Sequence, residues 1–224
     1  MGLFVIVFVV IFTLVVYWRF FYFFRDPARI APKGNNIVSP ADGTVIYIKN
    51  IKAGEIPIAV KNGNKIKLEE ISKTDIGGEF SNGYIIGIFM SLFDVHVNRS
   101  PIAGVVENVN YFSGINFTMA RMTLNKLLRK KEIFQDNGYL LQNERNTLLI
   151  RGDFPVAVVQ IADLHVNRIV SFVKKQERIE KGQRIGLIKM GSQVDIILPD
   201  IPKARIKVNV GQHIKAGETI IAEF

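Results

Sequence analysis

Residues 184–199 read RIGLIKMGSQVDIILP: two short apolar runs on either side of a Gly191-Ser192 pair. Runs this short, rich in isoleucine and bounded by turn residues, fit buried strands better than helices. A Gly-Ser pair between strands is ordinarily a turn. The same grain continues on both sides. IVSPADGTVIYIKNI (37–51) carries an Asp-Gly hairpin signal. YIIGIFMSL (84–92), AGVVENVNYF (103–112), TLLIRG (147–152), PVAVVQIA (155–162) and RIVSFV (168–173) precede the pair, and ARIKVNV (204–210) follows it. Many short strands with regular glycine turns predict a mainly β fold (β-rich α+β), built as a barrel or sandwich. Two units, Ile179-Glu-Lys-Gly-Gln-Arg-Ile and Val210-Gly-Gln-His-Ile-Lys-Ala-Gly-Glu, have the turn pattern of lipoyl-like barrel-sandwich hairpins. One segment departs from the grain. ARMTLNKLLRKKEIFQ (120–135) has helical spacing and a basic face, which suits a solvated helix or a membrane surface equally.

The N-terminus is of another kind. Leu3 to Trp18 carries no charge. As a helix it spans about 24 Å, and carrying it to Phe24 gives about 33 Å against a hydrocarbon core of about 30 Å. Tyr17, Trp18 and Tyr22 have the composition of an interfacial belt, and Arg19 can snorkel. A cleaved signal would want a basic start and a small-residue cleavage site, and neither is present. Residues 1–25 are therefore expected to be a membrane helix, 26–36 a linker that begins at Asp26-Pro27, and 37–224 the folded domain that carries any activity. Arg19, Arg25, Arg29 and Lys33 all follow the apolar run, which places the body on the cytoplasmic face.

Composition narrows the chemistry. The absence of cysteine excludes disulfides, thiolate catalysis and Cys-based zinc sites. Only His96, His165 and His213 offer imidazole, and no metal site is expected. The net charge of +9 suits an anionic partner. The lysines are scattered, no nucleic-acid motif is present and the aromatics gather in the anchor, so that partner is a membrane and not nucleic acid.

Three places could carry a reaction. Ser192 follows a glycine between strands. His96, in Asp94-Val-His-Val-Asn-Arg, is a candidate base, although a strand histidine is more often structural. Asp42 lies in Ser-Pro-Ala-Asp-Gly, where Asp-Gly by itself reads as a turn. The hexapeptide at 94–99 is echoed by Asp163-Leu-His-Val-Asn-Arg168, as two copies of one unit would be.

Together these motifs resemble a known family. FFRDP (23–27), SPADG (39–43), FDVHVNRSP (93–101), YFSG (111–114), NERN (143–146), QIA (160–162), RIV (168–170), MGSQVDIILP (190–199) and VGQHIKAGETIIAEF (210–224) occur in the order found in the phosphatidylserine decarboxylases. The match is to the short form that includes archaetidylserine decarboxylases. His165 and the long basic stretch between Ala120 and Asn143 depart from that pattern, as does Gln193 after the serine.

The resemblance implies a proenzyme. Ser192 would attack the Gly191 carbonyl with His96 as base and Asp42 orienting it. The products would be chains 1–191 and 192–224, the second capped by a pyruvoyl group made from Ser192 and serving as electron sink. The substrate would be a serine-headgroup phospholipid, with Arg99, Asn98, Arg168 and His165 as candidates to bind it. Family members often dimerise, so a homodimer is allowed. The alternative is a membrane-anchored, lipoyl-like adaptor without catalysis, which would ordinarily carry a heptad-built coiled coil that this chain lacks.

Overall fold

A computed structural model of the chain describes residues 2–59, 65–76, 78–115, 117–128, 138–163, 169–189 and 191–224. Helix α1 (Gly2–Tyr17) opens the chain and runs on through a π-helical turn, Trp18–Tyr22. The stretch Gly2–Tyr22 is long and apolar enough to cross a membrane, and none of it is buried in the protein. Its one aliphatic hydroxyl, on Thr13, folds back onto the carbonyl of Val9 at 2.8 Å. Each large apolar side chain left in water forgoes about 1.5–3 kcal/mol of burial, which the body does not supply here. Phe23 ends the stretch and is fully buried.

The body is organised by an antiparallel eight-stranded sheet. From edge to edge its order is β11 (Arg178–Ile179), β7 (Gly104–Phe112), β8 (Arg145–Arg151), β9 (Pro155–Ala162), β13 (Ser192–Pro199), β5 (Gly83–Met90), β2 (Gly43–Ile51) and β15 (His213–Ile214). Both faces are covered, so β5, β9 and β13 read as mainly apolar runs instead of alternating ones, broken at Gln160, Gln193 and Asp195. On one face lie Ile86, Ile88, Val158, Val194 and Ile196. Two small sheets contribute to that core, β1 (Asn36–Val38)–β16 (Ile220–Glu223)–β14 (Arg205–Ile206) and β10 (Ile169–Ser171)–β12 (Arg184–Ile188)–β6 (Val97–Arg99). The other face carries Ile85, Phe89, Val159, Ile161 and Ile197. Against it pack the hairpin β3 (Glu55–Ala59)–β4 (Lys65–Lys67), helices α2 (Leu68–Ser72), α3 (Ala120–Leu127) and α4 (Gly138–Gln142), and the 3-10 turn Gly78–Phe80.

The mainly β expectation holds, but no closed barrel forms among the described residues. Asp42-Gly43 is not a hairpin turn: β1 pairs with β16, whereas β2 pairs with β5 and β15. Residues 26–36 are no free linker either. Arg99 binds Asp26 at 2.6 Å, Arg184 binds the same carboxylate, and Arg29 binds Asp42 at 2.8 Å and Glu218 at 2.7 Å. Of the helix expected over 120–135, α3 covers the start, and residues 129–137 lie outside the described residues. The echoed hexapeptides have a partial counterpart. β6 comes from the first, β10 begins directly after the second, and the two flank β12, which leads toward Gly191.

Arg145 is the largest fully buried side chain and braces the second face. It donates to the carbonyls of Ile71 and Leu140 at 2.6 Å and of Asn143 at 2.9 and 3.0 Å. Burial lowers its pKa to about 10, so it stays charged at neutral pH. Arg145→Met keeps much of the volume but strands these acceptors, each at a cost of about 1–3 kcal/mol. We expect a loss of about 3–5 kcal/mol, read as a lower denaturation midpoint in urea.

Candidate active site

The chain that ends β12 at Ile188 re-enters the large sheet at Ser192, the first residue of β13. Ser192 is paired on both sides, with Met90 at the end of β5 and Ala162 at the end of β9, and it has no exposed surface. Pairing on both sides fixes its backbone. The bond before it is held as well, because the Asp163 N–H donates to the Gly191 carbonyl at 3.0 Å. A donor on that oxygen polarises the carbonyl and would stabilise charge developing there. A Cβ at position 191 would lie 2.9 Å from Oδ2 of Asp163, so the site is shaped for glycine. The other carboxylate oxygen of Asp163 accepts from Met119 N–H at 2.7 Å, which ties this bond to the segment before α3.

The side chain of Ser192 faces the same side of the sheet as Val194 and Ile196, into a small polar island in the apolar core. Its hydroxyl donates to Met90 Sδ at 3.6 Å, and Asn98 Nδ2 donates to the same sulfur at 3.7 Å. Gln160 Nε2 donates to Asn98 Oδ1 at 2.7 Å, and Asn146 Nδ2 donates to Gln160 Oε1 at 2.9 Å. All five side chains are buried, so each bond in this row replaces one lost to water. The opposite face of β13 carries another polar cluster. Gln193 accepts from Tyr139 OH at 2.7 Å and donates to Tyr47 OH at 2.9 Å and to Asp195 Oδ1 at 2.6 Å. Asp195 is fully buried, and desolvation pushes its pKa up to about 7.

His96 sits on the segment between β5 and β6, with its own carbonyl accepting from Ile188 N–H at 3.2 Å. Nδ1 lies 2.9 Å from the Asp94 carbonyl, so the proton belongs on Nδ1. Nε2 is buried and has no hydrogen-bond partner among the described residues. Phe23 packs against the imidazole at 4.2 Å between ring centroids. Burial brings the pKa of His96 down to about 4; the Asp94 carbonyl and charge oppose the shift and Arg25 adds to it. At neutral pH the ring is an uncharged base with an open lone pair.

The flanking carboxylates are differently placed. Asp94 is held by Ser91 N–H and Oγ at 2.7 Å, His213 Nε2 at 2.8 Å and Lys126 Nζ at 3.1 Å. Burial would raise its pKa, but those partners outweigh it and hold the carboxyl well below the usual range. Asp42 accepts from Arg29 at 2.8 Å and from Ala216 N–H at 2.7 Å. Burial leaves its pKa somewhat raised despite both bonds. Asp42 thus does not hydrogen-bond His96; the group that orients the imidazole is the Asp94 carbonyl.

Of the residues singled out in the sequence, Ser192 and Asn98 meet at Met90, at the end of β5, while His96 joins the end of β12 through Ile188 and Asp42 precedes β2, the other neighbour of β5. Arg99 lies beside them but turns its guanidinium to Asp26, the Pro27 carbonyl and the Gly182 carbonyl. His165 and Arg168 lie outside the described residues. Sequence reasoning assigned no role to Phe23, Met90, Gln160, Asp163 or His213. FFRDP and QIA were the available signals for Phe23 and Gln160, but neither short motif says which partner its side chain meets.

The family model for phosphatidylserine decarboxylase matches residues 16–222. Over 204 residues the chain is 41% identical to a protein of Methanocaldococcus jannaschii named putative archaetidylserine decarboxylase proenzyme, covering 90% of this chain and 87% of that one. Over 205 residues it is 37% identical to a phosphatidylserine decarboxylase proenzyme of Novosphingobium aromaticivorans, covering 90% of this chain and 71% of the relative. With nearly its whole length matched, this chain belongs to the phosphatidylserine decarboxylase family.

Proposed function

We propose that this chain is a membrane-anchored proenzyme that cuts itself between Gly191 and Ser192 and then decarboxylates the serine headgroup of a phospholipid, phosphatidylserine or archaetidylserine. The observation that carries the reading is the scissile bond itself. A buried serine follows a glycine whose carbonyl already accepts an N–H, at the same sheet end as a neutral histidine with a free Nε2. The adaptor alternative finds no support in the family or the site.

In the proposed cleavage Ser192 Oγ turns from Met90 to the Gly191 carbonyl carbon and gives its proton to His96 Nε2. The Asp163 N–H holds the oxygen as charge develops on it. The Gly191–Ser192 amide breaks, its nitrogen takes a proton, and an ester remains. Loss of the Cα proton of residue 192 breaks the Cβ–Oγ bond and frees the Gly191 carboxylate. Water then replaces the nitrogen, which leaves as ammonia, and the short chain begins in pyruvoyl. Residue 192 suits that group, since Met90, Asn98 and Gln160 wall it from water. Pyruvoyl supplies the electron sink for the pair left when carbon dioxide departs. His96 then returns a proton to the product, with Phe23 and the Asp94 carbonyl keeping the ring in place. Asp42 holds the short chain through Ala216 in this scheme. Arg99 is engaged by Asp26, so the substrate's anionic groups fall to Arg168 and His165, with Asn98 lining the pocket. The apolar helix anchors the chain, and the basic residues after it put the body on the cytoplasmic side.

Intact mass spectrometry of the purified full-length chain, beside carbon dioxide release from vesicles of each lipid, tests the proposal. We expect chains 1–191 and 192–224, the second beginning in pyruvoyl, and release from at least one lipid. A folded, uncleaved chain without activity overturns it. A subsidiary prediction concerns Gly191. Gly191→Ala should slow cleavage about tenfold by pressing on Asp163, a barrier rise of about 1.4 kcal/mol. Adding Asp163→Ala should restore part of the rate, as followed on gels over time.

A further inference from the structure

The turn Ser91–Asp94 leads directly into His96 and is gripped from two sides. From the anchor, Arg25 Nη2 donates to the Phe93 carbonyl at 2.5 Å, and Trp18 meets the Phe93 ring at 6.5 Å. From α3, Lys126 Nζ reaches Asp94 at 3.1 Å and Ser91 Oγ at 3.4 Å. Around this turn the protein leaves large apolar side chains in the open. Phe93 is 64% exposed, and Ile115, Leu124 and Leu128 are 75%, 52% and 58% exposed. Leu124 lies on α3 and Leu128 caps its end four residues on, while Met122 and Asn125 are buried. Phe117, also exposed, precedes the helix, and its N–H is fixed by Asn143 Oδ1 at 2.7 Å, so the segment is held in place. Lys126 brings α3 against the Phe93 turn, and apolar side chains gathered in this way mark an interaction surface.

We infer that this patch, Phe93 with Ile115, Phe117, Leu124 and Leu128, is a second membrane contact that dips into the headgroup region beside the anchor. The occupant follows from continuity. The patch begins where the apolar helix ends, at the Trp18–Phe93 contact, so a bilayer that accepts the helix also reaches the patch. The partner is an anionic lipid surface, which a chain of net charge +9 attracts. The consequence is that the turn leading into His96 lies at the level of the lipid headgroups, so the substrate need not be extracted. The inference rests on the reading of Gly2–Tyr22 as a bilayer anchor.

The absence of cysteine makes the test direct. Single-cysteine variants Ile115→Cys and Leu124→Cys of the full chain are labelled with an environment-sensitive fluorophore. Val10→Cys reports on the anchor and Lys175→Cys on open solvent. All are reconstituted in vesicles of phosphatidylcholine and phosphatidylglycerol carrying nitroxide lipids. We expect quenching at positions 115 and 124 to exceed that at position 175 by about twofold or more, with shallow nitroxides most effective, as for an interfacial helix. Quenching at position 10 with none at positions 115 and 124 would refute the patch and leave the anchor standing. No quenching at position 10 would remove the anchor and the inference together. Protection of positions 115 and 124 from both lipid and aqueous quenchers would mean that a second copy covers the patch, which also overturns the inference.

Discussion

Ser192→Ala is expected to leave the purified protein as one chain of 224 residues with no decarboxylase activity above background. Alanine removes the only atom that can carry the acyl shift, and with it the source of the pyruvoyl group, so maturation and turnover fail together. The fold should survive. Ser192 Oγ makes a single long bond, to Met90 Sδ at 3.6 Å, and the strand that carries it is held by the backbone pairing of β13 with β5 and β9. Losing a hydroxyl with so weak a partner costs about 1 kcal/mol or less. Intact mass, a thermal melt and carbon dioxide release on one preparation separate the cases. A whole, folded, inactive chain is the expected result. Cleavage at residue 191 in this variant would mean that another group attacks, and the assignment of Ser192 would fall.

The same pairing explains why cleavage need not disassemble the protein. Everything after Gly191 is woven into the remainder: β13 lies between β5 and β9, β15 pairs with β2, and β16 pairs with β1. Polar ties add to this, from Asp42 to Ala216 N–H and from Asp94 to His213. Asp42 and Asp94 therefore both grip the short chain. Cutting a bond at the start of a central strand changes the connectivity while leaving the core interleaved.

How far these relations were legible depends on the kind of signal. Strands buried on both faces, such as IIGIFM and VAVV, announce themselves because no polar residue interrupts them. The apolar anchor does so for the same reason. Partner choice is less visible. Asp42-Gly43 has hairpin chemistry, yet tertiary pairing sends the strands on either side of it to β16 and β5, since the C-terminal residues compete for the same edges. The stretch from Lys52 to Asn82 gave no reading, because its elements are short and owe their order to packing on the second face of the sheet. At the site, the motifs located Ser192, His96 and Asp42 but not their contacts. Asp42 and His96 lie close in the motif logic, but Arg29 and Ala216 N–H take up the carboxylate. The donor to the scissile carbonyl is a backbone N–H, at Asp163, which no residue type can reveal.

Replacing His96 should have nearly as large an effect as replacing Ser192, with a pH signature of its own. His96→Gln removes the base, and loss of a positioned general base slows proton transfer by about 10²–10⁴. The precursor should accumulate and mature over hours or days, and chemical rescue by imidazole would be blocked by Phe23 and burial. In the proposed mechanism, cleavage of the unchanged protein needs the neutral ring. Its pKa of about 4, set mainly by burial, keeps it neutral from alkaline pH down to about 5, so the cleavage rate should stay level across that range and fall only below it. Stability is a poorer reporter. An unfolded histidine takes its proton near pH 6.5, so the stability that His96 contributes as a buried neutral group is complete above about 6.5 and fades toward about 4, by roughly 3 kcal/mol at most. Asp195 has the reverse slope. Its carboxyl, raised to about 7, favours the fold below the unfolded value near 3.9 and loses that advantage as pH rises through 7, so the two trends largely cancel between about pH 4 and 6.5. Time courses of precursor loss across pH therefore isolate His96 where melting curves cannot. Phe23→Ala should open the ring to water and move the fall in rate upward, toward pH 6.5. A wild-type fall already centred near 6.5 would show that His96 is hydrated before cleavage and that Phe23 does not control it.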